Sequence, residues 1–181
     1  MRNILEKKDN ILGPRGKQYQ KDIIEIAKQN SYKSTEEIID RVLKQKQIRR
    51  KNGGFCCKPN IGRPWKFDSN TDRFYCAYEM CPNQCHMYYD LVYYLKEFEI
   101  LKLTYKTNMK NNQINASEKE LYKIKNLIRT KLIPELDELD KKLLTSKTEE
   151  IDEILEEHPE MENIINNKDE IRKEINSWIK K

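Results

Sequence analysis

Four cysteines are spaced to hold one metal ion. Cys57 is followed after 18 residues by Cys76, after 4 more by Cys81 and after 3 more by Cys85. Tetrahedral zinc takes four thiolate or imidazole ligands, and soft thiolates select zinc or an iron–sulfur cluster over hard cations. Ligands drawn from two separated clusters close a loop around one ion. The ion then replaces the apolar core that a turn-rich stretch such as KPNIGRPW cannot build. The expected ligand set is Cys57, Cys76, Cys81 and Cys85 holding structural zinc, with a four-cysteine iron–sulfur cluster as the alternative. Cys56 and His86, adjacent to Cys57 and Cys85, are spare candidates. Pro82 and a helix start at Cys85 would fix ligand directions, and the amides of that helix end would favour a thiolate. The competing reading makes all five thiols reduced, partly buried small hydrophobes.

Composition favours the metal over a disulfide framework. The chain has 181 residues, 36% of them charged, and no apolar run approaching the ~20 residues of a membrane span. MRNILEKKDNILGPRG contains no apolar stretch long enough for a secretory signal, so a cytoplasmic location with reduced thiols is expected, and no membrane partner.

The net charge of +5 is unevenly distributed. Residues 1–66 carry 17 Lys and Arg against 7 Asp and Glu, a net of +10; residues 67–118 net −2 and residues 119–181 net −3. A basic first third suggests a polyanion partner, with DNA favoured over RNA. Arg15, Lys17, Lys44, Lys46, Arg49, Arg50, Lys51, Lys58 and Arg63 are the candidate phosphate contacts. The competing reading of KQKQIRRK is a solvated helix end.

The elements that must position these groups read as helices. From Lys17 to Gln29, Tyr19, Ile23, Ile26 and Ala27 mark one helix face. Ser34 with Glu37 forms a capping box for a second helix, with Ile38, Ile39, Val42 and Leu43 as its stripe and Gly53 as its terminator. The pair could make a helix-turn-helix, but an ordinary helical hairpin is the simpler expectation. After the cysteines a helix is expected from about Gln84, with Leu91, Tyr94, Leu95, Phe98, Leu101 and Tyr105 inward. NMKNNQINAS reads as a loop, Ser117 with Glu120 as the next cap, and Leu121, Ile124, Ile128, Leu132, Leu136, Leu139 and Leu143 as a coiled-coil-like seam kinked by Pro134. Two such helices fold back as an antiparallel hairpin. Ser146 with Glu149 should cap a short helix ending before Pro159, and a last helix carries Ile164, Ile171, Ile175 and Trp178. Twelve of the sixteen aromatic residues lie between Phe55 and Tyr105, and Tyr94 and Phe98 are expected in a core rather than stacked on bases.

The class is thus all-α, with helical hairpins flanking a small irregular cysteine-rich metal knot. Three segments are expected: a basic helical segment at 1–52, the knot at 53–90, and a helical hairpin with further helices at 91–181.

CKP at 57–59, FYCAYEMCPNQC at 74–85, the aromatic helix and LIPELDELDKKL together resemble the carboxy-terminal tail of transposon-encoded tyrosine recombinases. In those tails a Cys-x-Pro precedes a Cys…Cys-Pro-x-x-Cys group and charged helices follow. The resemblance spans about residues 55–145 and implies Cys57, Cys76, Cys81 and Cys85 as the matching positions. The catalytic residues of that family do not carry over, because neither His86 nor His158 is followed by Arg three residues on. The likeness implies a DNA-associated accessory module.

No nucleophile–base pair, phosphate-cradling glycine loop or helical metal-hydrolase motif is visible, so an enzyme is not expected. The expected function is a non-enzymatic nucleic-acid-binding accessory protein of a mobile element or phage, stabilised by zinc. The alternative is a protein-binding inhibitor or adaptor of a nucleic-acid-processing enzyme, of the anti-defence type.

Overall fold

The computed structural model describes residues 2–5, 9–28, 34–46, 49–51, 53–57, 65–68, 73–76 and 84–181; side chains are described at 4–5, 9–28, 34–42, 53–57 and 84–181. The chain divides into two compact units, Met1–Met87 and Tyr88–Lys181, so the basic and cysteine-rich segments share one unit. Most of the described chain is helical, as expected; within 49–85 the described residues form short strands, and the rest of the expected knot lies outside the described residues.

In the first unit, α1 (Arg2–Leu5), α2 (Gly16–Lys28) and α3 (Thr35–Lys46) are followed by β1 (Arg49–Lys51), β2 (Gly54–Cys56), β3 (Trp65–Asp68), β4 (Arg73–Cys76) and β5 (Gln84–Cys85). α2 buries Tyr19 and Ile23, as its periodicity requires. Ser34 Oγ accepts the Glu37 amide at 3.2 Å, which satisfies one of the orphan donors at the start of α3. The expected continuation of that helix to Gly53 is corrected. Arg49, Arg50 and Lys51 lie on β1, antiparallel to β2 with Lys51 opposite Gly54. The sequence Asn52-Gly53 is a two-residue hairpin signal, and it outweighs the helical reading of the cationic run.

Strand order is β1-β2-β5, with β3 and β4 in a separate antiparallel pair. Phe55 lies opposite Cys85 and Cys56 opposite Gln84, and Leu12 extends the pairing by exchanging backbone hydrogen bonds with His86 at 2.8 and 3.2 Å. The helix expected from Gln84 therefore starts later. Strand pairing claims Gln84 to His86, a 3-10 turn covers Tyr88–Asp90, and α4 begins at Leu91.

The second unit comprises α4 (Leu91–Lys110), α5 (Ile114–Leu127), a π-helical turn (Ile128–Leu132), α6 (Ile133–Thr145), α7 (Thr148–Glu157) and α8 (Met161–Ile179). The loop expected across NMKNNQINAS shrinks to 111–113. Asn112 takes φ 55, the left-handed conformation that asparagine tolerates, and so turns the chain without glycine. Ser117 is not a cap. It lies inside α5, with Oγ donating to the Gln113 and Ile114 carbonyls at 3.1 and 2.8 Å. Ser146 likewise closes α6, and α7 starts one residue beyond Lys147.

The hydrophobic seam is observed. Ile124, Ile128, Leu132, Leu136 and Leu139 are buried with Leu91, Tyr94 and Phe98, while Leu121 and Leu143 pack at its margins. In place of a simple kink, the helix widens into the π turn just before Pro134. Pro134 offers no amide to the Thr130 carbonyl and its ring would crowd that oxygen, so the coil opens there. Trp178 meets the rings of Phe98 and Tyr105 edge-on at 6.2 and 5.4 Å, tying α8 to α4. Charged pairs finish the margins: Lys102 joins Glu99 and Glu174, and Arg172 and Lys168 reach Asp140 at 2.6 and 2.7 Å. No helix among the described residues is long and apolar enough to cross a membrane.

Candidate metal centre and nucleic-acid interface

The β2–β5 pairing determines which thiols meet. It draws Cys85 back to the strand that ends at Cys56, and Cys85 Sγ donates to Cys57 Sγ, 28 residues earlier in the chain, at 3.1 Å. That separation is well beyond the ~2.05 Å of a disulfide. It is somewhat shorter than the ~3.8 Å between two thiolates on a tetrahedral zinc whose Zn–S bonds are ~2.3 Å. A small side-chain rotation opens the one distance into the other.

Close backbone packing makes this approach available. Gly54 has φ +119, and a Cβ there would collide with the Cys85 carbonyl oxygen, so glycine is required for β2 to lie against β5. The buried Gln84 amide donates to the Gly53 carbonyl at 2.8 Å and holds the hairpin turn. On the helical side, Gln20 of α2 accepts the Ile11 amide at 3.1 Å and donates to the Asp9 carbonyl at 3.0 Å, fixing the segment that carries Leu12 to His86.

The electrostatics favour a thiolate at Cys57. The Cys85 hydrogen bond is the main cause of its lowered pKa; half-burial opposes the shift and Arg15 adds to it. Tyr19 is buried and its ring lies 5.9 Å from that of Phe55. Burial pushes its phenol pKa upward, and the nearby Cys57 and Cys85 push the same way. Tyr19 read in the sequence as one more apolar helix position. Nothing in its spacing signalled a neighbour of the thiols, because the approach depends on strand pairing.

Of the four expected ligands, Cys57 and Cys85 come together. Cys76 is the last residue of β4, with its side chain outside the described residues, and Cys81 lies wholly outside them. Cys56 and His86 are both buried, but no group of three or more His, Cys, Asp or Glu side chains able to hold a metal forms among the described residues. The expected helix start at Cys85 is corrected as well: Cys85 sits on β5, and its environment comes from a strand and from Cys57 rather than from helix amides.

Among the phosphate candidates, Arg15 and Lys17 are exposed at the start of α2. Lys44 and Lys46 end α3 and Arg49, Arg50 and Lys51 form β1, with side chains outside the described residues; Lys58 and Arg63 lie outside them entirely. The list omits Lys21 and Lys28, both exposed on α2. Their spacing from Lys17, by four and eleven residues, places all three on the face opposite Tyr19 and Ile23, with Glu25 interrupting the row. That signal was readable from the sequence. Charge also sorts by unit: Met1–Met87 holds 18 Lys and Arg against 10 Asp and Glu, a net of +8, and Tyr88–Lys181 holds 17 against 20, a net of −3.

Compared with protein-family models, curated proteins and solved structures, the chain matches none.

Proposed function

We propose that this chain is a non-enzymatic nucleic-acid-binding protein whose first unit is held together by a structural zinc, an accessory factor of a mobile element or phage. The supporting observation is the coincidence, in one compact unit, of the whole positive excess with the Cys57–Cys85 pair. Cys57, Cys76, Cys81 and Cys85 would hold the ion, which supplies cross-linking rather than reactivity. Lys17, Lys21 and Lys28 on α2, with Arg15 at its start, would lie along a phosphate backbone, DNA in preference to RNA.

Titrating the purified chain onto labelled duplex DNA, single strands and RNA over a salt series tests this reading. With about four phosphates neutralised, affinity should fall on the order of a hundredfold between ~50 and ~200 mM salt. Plasma mass spectrometry should find one zinc per chain, and an absorption spectrum should lack iron–sulfur bands. Absence of binding to all three nucleic acids at low salt would sink the proposal.

A second reading rests on α7. Glu149, Asp152, Glu153, Glu156 and Glu157 expose an acidic face suited to the basic groove of a nucleic-acid-processing protein, as an inhibitor or adaptor would use. Saturable binding to one protein partner, lost when these carboxylates are reversed to lysine and accompanied by no binding to nucleic acid, would favour it.

A further inference from the structure

α4 exposes large apolar side chains on its outer side as well as burying them on its inner one. Leu91, Tyr94 and Phe98 face the core of the second unit, while Tyr93, Ile100 and Leu103 remain 38%, 65% and 68% exposed. A helix that serves only as the wall of a bundle has a polar outer face, and one apolar all round is normally covered on both sides. At 100° per residue, Tyr93, Lys96, Ile100, Leu103, Thr104 and Thr107 form one outward stripe along α4, with Lys96 the charged residue within it. The other exposed large apolar residues on this unit's α5 and α6, Ile114, Tyr122 and Leu144, are scattered and need no explanation.

We propose that this stripe is the contact surface for a second copy of the chain, packed as an antiparallel α4–α4 pair about a two-fold axis. The charge pattern selects that occupant. In an antiparallel two-fold pair, each flank of a helix meets the same flank of its partner, and residues equidistant from the axis come together. Glu99 and Lys106 are both exposed, seven residues apart on one flank, and opposite in sign. Each therefore meets its opposite on the other copy when the axis passes between residues 102 and 103. Ile100 and Leu103 straddle a point one residue away, so the same register packs Ile100 of one copy on Leu103 of the other. Tyr93 and Lys110 are centred on that second point too, which brings a cation over an aromatic face at each end of the contact. In a parallel pair each flank would instead meet the partner's opposite flank, and Glu99 and Lys106 would not face one another.

Sedimentation equilibrium of the 181-residue chain over a concentration series tests the proposal. The wild type should reach twice the 21.8 kDa chain mass. Ile100→Glu with Leu103→Glu, both at exposed positions that leave the core untouched, should stay at the single-chain mass throughout, with unchanged far-UV circular dichroism. Lys106→Glu should weaken association, and adding Glu99→Lys to it should restore it. A wild type that remains a monomer at every concentration would assign the stripe to some other partner and overturn the proposal. Dimerisation that survives the double glutamate variant, or charge reversal that fails to restore it, would overturn it equally. Since Glu99 also pairs with Lys102, thermal denaturation of the reversal pair confirms that a failed rescue is not a failure to fold.

Discussion

The two units solve the same problem with different means. Tyr88–Lys181 buries a contiguous cluster from Tyr88 to Trp178, and every helix but α7 places fully buried side chains in it. Fully burying one such Leu, Ile or Phe contributes about 1.5–3 kcal/mol, so this cluster is sufficient to hold the helices together. The described part of Met1–Met87 buries fewer large side chains, among them Ile4, Ile11, Tyr19, Ile23 and Val42, and gathers round backbone pairing, side-chain amides and two thiols. Apolar content is lean and uneven: 24 of the 36 leucines and isoleucines lie in Tyr88–Lys181, and the first unit relies more on directional bonds.

The largest expected effect separates the units outright. The proposed zinc would contribute about 10–16 kcal/mol of apparent binding free energy at neutral pH, so on that proposal chelation or Cys85→Ser should unfold the first unit. Amide exchange resolved by residue should then show protection lost before Met87 and kept in α4 to α8. Uniform loss, or none, would break the contrast between the units. Phe98→Ala should do the reverse, costing about 3–5 kcal/mol in the second unit by leaving a cavity under Trp178 while one zinc per chain remains. Gly54→Ala should cost about 1–3 kcal/mol in the first unit alone, because alanine at φ +119 is strained and its methyl meets the Cys85 carbonyl.

Smaller effects concern pH. Glu135 is fully buried, and burial, then the charge of Asp90, hold its pKa well above the ordinary 4.5, with Lys131 opposing. The folded state thus binds the extra proton, and stability falls as pH rises above 4.5. Glu135→Gln should remove that decline and stabilise the helical unit by on the order of 1 kcal/mol at neutral pH in urea titrations. Asp140 has the opposite sign. Burial would raise its pKa, but hydrogen bonds from Lys168 and Arg172 outweigh burial and lower it. The stability it supplies is present above the ordinary value of 3.8 and lost as pH falls through its depressed folded value. With the pair about a third exposed, Arg172→Ala should cost no more than about 1 kcal/mol, and less in high salt.

Helices with a long apolar period were legible in the sequence. The seam from Leu121 to Leu143, the α8 residues Ile164, Ile175 and Trp178, and the Ser34 cap all sit as their spacing requires. Boundaries were less legible where polar residues had two local uses. Asn111 and Asn112 turn the chain in three residues, and Ser117 bonds back to carbonyls from inside α5, since serine and asparagine satisfy backbone groups in either setting. The cationic run after α3 was misread because helix-end charge and a strand-forming Asn-Gly turn overlap within a few residues. Within the candidate site, the spacing nominated Cys57 and Cys85 but could not reveal Tyr19, Gly54 and Gln84 around them, since those neighbours depend on pairing between distant segments.

By itself the sequence determined the periodic helices, the opposed charges of the two halves and the clustering of the thiols, all of which depend on residue type and local spacing. Only the tertiary structure decided that Cys85 lies on a strand beside Cys57, that Gly54 must be glycine, and that α4 exposes large apolar side chains outward as well as burying them inward. Those outcomes rest on strand register and on which helix face finds a neighbour, and both are properties of contacts between residues far apart in the chain.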